Sequence, residues 1–217
     1  MASIVDICNT ALAHLGSDST ISAIDPPDGS TEAGYCKRFY PIARRRLIES
    51  FVWPFATKRV VLAEVANASD VWGHAYAIPA DCLRPVRILT AGQLRSILEQ
   101  LTNQGDGAIR TALYDEEASA PYQREGEVLY THEPEAVLLY LRDVTDSTKF
   151  SPTFEEALGY QLASFLAGPI IRGADGSKTA MNFRQMARAS AGEAIELAAN
   201  QAREEHRLVA GHLAVRA

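Results

Sequence analysis

The sequence predicts an α+β fold that is mainly α: a helical bundle built from the N- and C-terminal segments, with an inserted antiparallel β module and a long C-terminal helix. Three observations lead there. Apolar residues recur at helical spacing at both ends of the chain. The middle third breaks into short runs of Val, Ile, Leu and Tyr separated by turn residues. Alanines then accumulate towards the C-terminus and raise helix propensity there. The implied division is a helical domain of residues 1–55 and 150–217, with a β module of residues 56–149 inserted.

The first helix is expected to begin at Ser3, where a cap and an acid at Asp6 precede Ile4, Ile7, Cys8, Ala11, Leu12 and Leu15 at helical spacing, and to close at Gly16. Residues 17–30 are dense in Ser, Asp, Pro and Gly and read as a loop tethered through Ile21 and Ile24. A second helix is expected over residues 31–52, with Cys36, Phe39, Tyr40, Ala43, Leu47 and Phe51 forming its buried stripe. Pro41 falls inside that pattern and is expected to bend or interrupt it.

Strands are expected at residues 57–63, 72–78, 85–89, 108–114, 127–130 and 136–142, with a flexible turn at residues 103–107 and a hairpin closed by residues 124–127. Ser151 and Pro152 then signal a helix start before Phe154, Leu158, Leu162 and Phe165, and Gly168-Pro169 is expected to stop that helix. A last helix is expected from Ser177 or Lys178 to about Val209, with Phe183, Met186, Ala187, Ser190, Ala194 and Leu197 along one side. Its apolar stripe is shallow, and its small residues permit close approach of another helix.

Composition narrows the function classes. The 217 residues suffice for one domain with a core or two small ones, and 47% hydrophobic with 22% charged residues excludes wholesale disorder. A net charge of −6 argues against a chain whose main task is coating nucleic acid. Cys8, Cys36 and Cys82 are widely spaced and suggest neither a disulfide framework nor a zinc site, and Cys36 reads as core. The longest uncharged stretch, residues 157–171, contains Gly and Pro and falls short of a membrane span, and the N-terminus lacks the basic region of a signal peptide. A cytoplasmic origin and no membrane partner are therefore expected.

Catalytic patterns are sparse. His14, His74, His132, His206 and His212 show no metal-ligand spacing, the Gly105-Asp106-Gly107 turn lacks the rest of a phosphate loop, and no cofactor is implied. Glu155 and Glu156 are adjacent acids in a first helical turn, where the helix dipole favours them. The strongest charge feature is Arg44-Arg45-Arg46, with Lys37 and Arg38 seven residues before Arg44 and Arg45. Three readings of this basic strip stay open: a solvated flank with Glu49 pairing Arg45 or Arg46, an interface to an acidic protein, or a DNA backbone contact. Candidate interface residues are Lys37, Arg38, Arg44 and Arg45 on the second helix, and Arg203, Arg207, Leu208 and Val209 near the C-terminus.

The run from Ile4 to Gly16 (IVDICNTALAHLG), the segment Ile21-Ser22-Ala23-Ile24, the helix around Cys36 to Leu47 and the following Trp53-Pro54-Phe55-Ala56-Thr57-Lys58-Arg59 resemble tail tubular protein A and related head-to-tail adaptors of bacteriophages. Tyr76-Ala77-Ile78-Pro79-Ala80-Asp81-Cys82-Leu83-Arg84 resembles the segment that opens their β module, and Phe154 to Ala163 with the alanine-rich helix after it resembles their closing helices. Residues 90–125 align with no adaptor pattern and are read as a variable insertion. The resemblance implies a structural virion protein and no enzyme. It implies a twelvefold ring below the portal that extends the DNA channel and carries the next tail component. Its partners would be the portal protein, a tail nozzle or other tail protein, neighbouring copies of itself, and genomic DNA passing without sequence-specific binding. Its place would be the head-tail junction of the virion, after assembly in the host cytoplasm. The alternatives are a virion-associated peptidoglycan hydrolase using Glu155 and Glu156, and a helical DNA-binding protein using the arginines.

Overall fold

A computed structural model of the chain describes residues 2–89 and 119–204, with side chains up to Glu196. The fold is α+β and mainly α, with four α-helices and two antiparallel sheets among the described residues. Two compact units are present, one formed by residues up to Thr57 together with Leu141–Ile195, the other centred on Lys58–Tyr140.

In the helical unit, α1 (Ile4–His14) starts in a reciprocal cap: the Ser3 hydroxyl accepts the Asp6 N–H at 3.1 Å while the Asp6 carboxylate accepts the Ser3 N–H at 2.8 Å. The helix buries Ile7, Cys8, Ala11 and Leu12. Gly16 at φ 71° ends the motif, a conformation that costs glycine little. The following loop is tethered at Ile21. Asn9 brackets the Ile21 backbone with bonds of 2.8 and 3.0 Å and Ile21 is buried, whereas Ile24 is half-buried.

Ser30 caps α2 (Thr31–Ser50) by accepting the Ala33 N–H. Pro41 does not interrupt this helix. Proline removes only one ladder hydrogen bond, and packing of the flanking turns against the next helix offsets that loss: Phe39 stacks on Phe165 at 6.0 Å, and Tyr40 and Ala43 are buried. The Trp53 indole N–H then donates to the Leu47 carbonyl at 3.0 Å and satisfies one of the open groups at the end of α2. Trp53, Phe55, Phe150 and Phe154 form an aromatic cluster with ring separations of 4.7 to 6.0 Å.

α3 (Pro152–Ile171) carries Ser151 as its cap and Pro152 at its first position, as its start signal requires. It is the bundle's centre: α1 and α2 both pack on it, and Leu158, Leu162 and Leu166 are fully buried. Gly168-Pro169 does not stop it. The break comes at Arg172, which takes φ 61° and ψ 161° and donates its N–H to the Gly168 carbonyl. Because Gly173 also takes a positive φ of 68°, the chain turns within one residue and α4 (Gly173–Glu204) begins at once, earlier than Ser177. Its expected end at Val209 lies outside the described residues. Met186 is 44% exposed rather than buried; the packed face is Ala187, Ala191 and Ala194.

In the β unit, β1 (Thr57–Val61), β7 (Val137–Arg142) and β4 (Cys82–Leu89) form one sheet in the order β1-β7-β4. β2 (Ala63–Glu64), β3 (His74–Ala77), β6 (Val128–Thr131) and β5 (Tyr122–Glu125) form the other in the order β2-β3-β6-β5. The expected strand 57–63 is therefore two strands on two sheets, with Leu62 buried between them. Its N–H donates to the Ala136 carbonyl at 2.9 Å. The expected strand 108–114 and the turn 103–107 lie outside the described residues. Residues 124–127 close a hairpin as expected, with Glu125 opposite Val128 and Gly126 at φ 58° in the first loop position. Leu62, Tyr76, Ile88, Leu129, Leu138 and Tyr140 form the core.

Candidate interaction surface

The basic strip of α2 divides into two kinds of arginine. Arg44 lies seven residues from Lys37, yet its side chain is only 7% exposed, and its guanidinium donates to the Asp143 carboxylate at 2.7 Å. Arg45, 60% exposed, donates to the other oxygen of the same carboxylate at 3.0 Å. The acid that meets Arg45 is thus Asp143, not Glu49. Burial of Arg44 follows from its position one turn after Tyr40 on the stripe that faces the bundle, where a long apolar stem can be covered while the charged head finds a carboxylate. Lys37 is held by Asp25 at 2.9 Å. Arg38 and Arg46 are exposed, and Ile42 between them is 49% exposed. The structure therefore buries Arg44 and leaves Arg38 and Arg46 exposed, with no carboxylate partner among the described residues.

Among the described residues the buried Tyr40 hydroxyl and Arg44 Nε find no hydrogen-bond partner. Burial pushes the Tyr40 phenol up to about 12, against the opposing influence of Arg44. Cys8 and Cys36 are buried free thiols, and the Cys8 thiol is pushed up by its hydrogen bond to Cys36 and by burial. Cys36 is core, as the helical period requires.

The adjacent acids of α3 have separate local partners. Glu155 accepts the Ala2 N–H at 3.0 Å and Glu156 accepts the Tyr160 hydroxyl at 3.3 Å. In the β unit, Asp81 receives the Tyr140 hydroxyl at 2.7 Å and the Lys58 ammonium at 3.0 Å. Burial raises the Asp81 carboxyl, but these two donors outweigh it and the net shift is downward. Among the described residues no group of three or more His, Cys, Asp or Glu could hold a metal ion, and no helix is long and apolar enough to cross a membrane.

α4 is largely solvent-facing. Over its described side chains the buried positions are Gly176, Ala187, Ala191 and Ala194, while Met181 is 65% exposed. Phe183 is half-buried, 5.9 Å from the His14 ring and 6.2 Å from Tyr160. Arg203 lies on the helical backbone of α4, its side chain beyond the described ones; Arg207, Leu208 and Val209 lie outside the described residues.

No family model matches the chain, and no curated protein matches it.

Three surface features escaped the sequence. Ile42 was hidden among arginines, although its place four residues from both Arg38 and Arg46 puts all three on one line of the helix. Asp143 directly follows β7 and is remote in sequence from the arginines it pairs with. Val71, in the segment before β3, is 75% exposed, which no local pattern announces.

Proposed function

We propose that this chain is a structural virion protein, a head-to-tail adaptor of the kind its sequence resembles. It assembles as a ring, twelvefold in that family, docks beneath the portal, extends the DNA channel and offers the tail its attachment platform. The observation that carries this reading is α4. Over the described side chains of this 32-residue helix the buried positions are small and Met181 and Met186 are 65% and 44% exposed, apolar surface held in reserve for a partner. The net charge of −6 suits a channel through which a polyanion slides. The pairing of Arg44 and Arg45 with Asp143 leaves fewer free cations for gripping phosphate.

The deciding experiment is the mass in solution, by light scattering after size exclusion, of the purified chain alone and mixed with portal from the same phage. A stoichiometric ring on the portal supports the adaptor. A chain that elutes apart from portal at every ratio refutes it.

A further inference from the structure

We propose that the outer face of α2 in one copy docks the Asp70-Val71 corner of a second copy, a contact between two unlike patches. The proposal rests on the adaptor reading and deepens it, because it names how neighbouring copies join.

The first patch is the line Arg38, Ile42 and Arg46. Ile42 is 49% exposed, both arginines are exposed, and neither meets an acid among the described residues, Asp25 and Asp143 being engaged by Lys37, Arg44 and Arg45. An apolar side chain framed by two open guanidinium groups suits a surface with an apolar knob and carboxylates around it.

The second patch has that chemistry. Val71 is 75% exposed, the highest value among the exposed large hydrophobic residues described, and Asp70 beside it is exposed. The segment is not loose: the Trp72 ring lies 4.9 Å from the His132 ring, and the Gly73 N–H donates to His132 Nδ1 at 3.2 Å. This fastens it beside the turn after β6 that carries Glu133 and Glu135. Neither stretch offers a cation of its own, since no Lys or Arg occurs between Arg59 and Arg84 or between Arg124 and Arg142. The corner thus carries an apolar tip with exposed Asp70 beside it, and the turn it is fastened to carries Glu133, half-buried, and Glu135, exposed.

One chain bears both patches, each within a single unit. Unlike patches on identical chains join head to tail, and such contacts produce rings when the rotation closes. Opposite charge also sets the register and speeds the encounter, so rising salt should weaken the contact.

The test uses the full chain. Sedimentation equilibrium, alone and with portal, is run on wild type, on Arg38→Glu/Arg46→Glu, on Glu133→Lys/Glu135→Lys, and on the chain carrying all four changes. Each pair of reversals is expected to weaken self-association at least about tenfold, and the fourfold variant to recover it. In parallel, Ile42→Cys chains are mixed with Val71→Cys chains and oxidised with copper-phenanthroline. A disulfide-linked dimer of one chain of each kind is expected, at a yield neither chain reaches alone. Reversals that leave association unchanged, a fourfold variant that stays weak, or no mixed cross-link overturn the contact. So does a loss confined to salt-sensitive duplex DNA binding, which would mark the arginines as phosphate contacts. If the reversed chains still ring the portal, the contact falls and the adaptor stands. If self-association follows the charges but portal is ignored, the adaptor falls and the contact stands. A chain monomeric in every sample overturns both.

Discussion

Arg44 and Asp143, 99 positions apart in the chain, meet at 2.7 Å, and Arg45 closes on the same carboxylate at 3.0 Å. The pair fastens α2 to the chain where it leaves β7. Its two halves are not equivalent. Replacing Asp143 strands the buried Arg44 charge, whereas replacing Arg44 leaves Asp143 with Arg45. Asp143→Ala is expected to cost about 2–3 kcal/mol, somewhat below a fully buried pair because the acid is partly open to water, and Arg44→Met only about 1 kcal/mol. Urea unfolding curves of the two variants measure the difference; equal losses would mean that Arg45 does not compensate.

Two glycines of α4 should respond in opposite directions. A Cβ at Gly176 would meet the Ala167 carbonyl oxygen at 3.0 Å and the Gly168 Cα at 3.6 Å, backbone atoms that cannot swing aside, whereas one at Gly192 meets nothing within 4 Å among the described residues. Gly192→Ala should stabilise by about 0.5–1 kcal/mol through helix propensity. Gly176→Leu should destabilise by about 1–3 kcal/mol through overpacking. Thermal melts of both variants check the sign.

Arg172 holds φ 61° and ψ 161°, a region that essentially only glycine occupies without strain. Arg172→Gly is therefore expected to raise stability by about 1 kcal/mol, after allowance for the extra freedom glycine gains when unfolded. A rise in the midpoint of chemical unfolding is the expected readout, and a fall would show that the arginine head contributes more than its backbone costs.

The Asp81 carboxyl has its folded pKa held below its ordinary value by Tyr140 and Lys58. A depressed carboxylate contributes stability that is complete above its unfolded pKa of about 3.9 and is lost as pH falls through the lower folded value. Below about pH 4 the β unit should thus lose stability in wild type. Tyr140→Phe should be less stable at neutral pH and should lose less on acidification. Far-ultraviolet circular dichroism melts over an acid series would show it, and parallel curves for the two chains would count against the role given to Tyr140.

Legibility followed the range of each interaction. The caps at Ser3 and Ser151 and the hairpin around Gly126 were readable because their partners lie within three residues. β5 was not. Tyr122-Gln123-Arg124-Glu125 is polar and mostly exposed, an edge strand held by pairing with β6, so it shows neither alternation nor an apolar run. Local rules predict a bend or an interruption at Pro41 and a stop at Gly168-Pro169, yet α2 and α3 continue through both, sustained by packing around a shared centre. The arginines showed the same limit: their spacing was readable, but which of them is buried depended on Asp143.

Residue pattern sufficed for the fold class, the starts of the first three helices and the β segment in the middle of the chain, since hydrophobic period and capping chemistry act over a single turn. Tertiary packing alone decided that Arg44 turns inward while Arg38 and Arg46 remain open, that Met186 faces solvent while Ala187 packs, and that Leu62 divides one expected strand between two sheets. The physical reason is common to all three. A side chain's burial is set by whatever the fold brings against it, and for these residues that neighbour comes from a distant part of the chain.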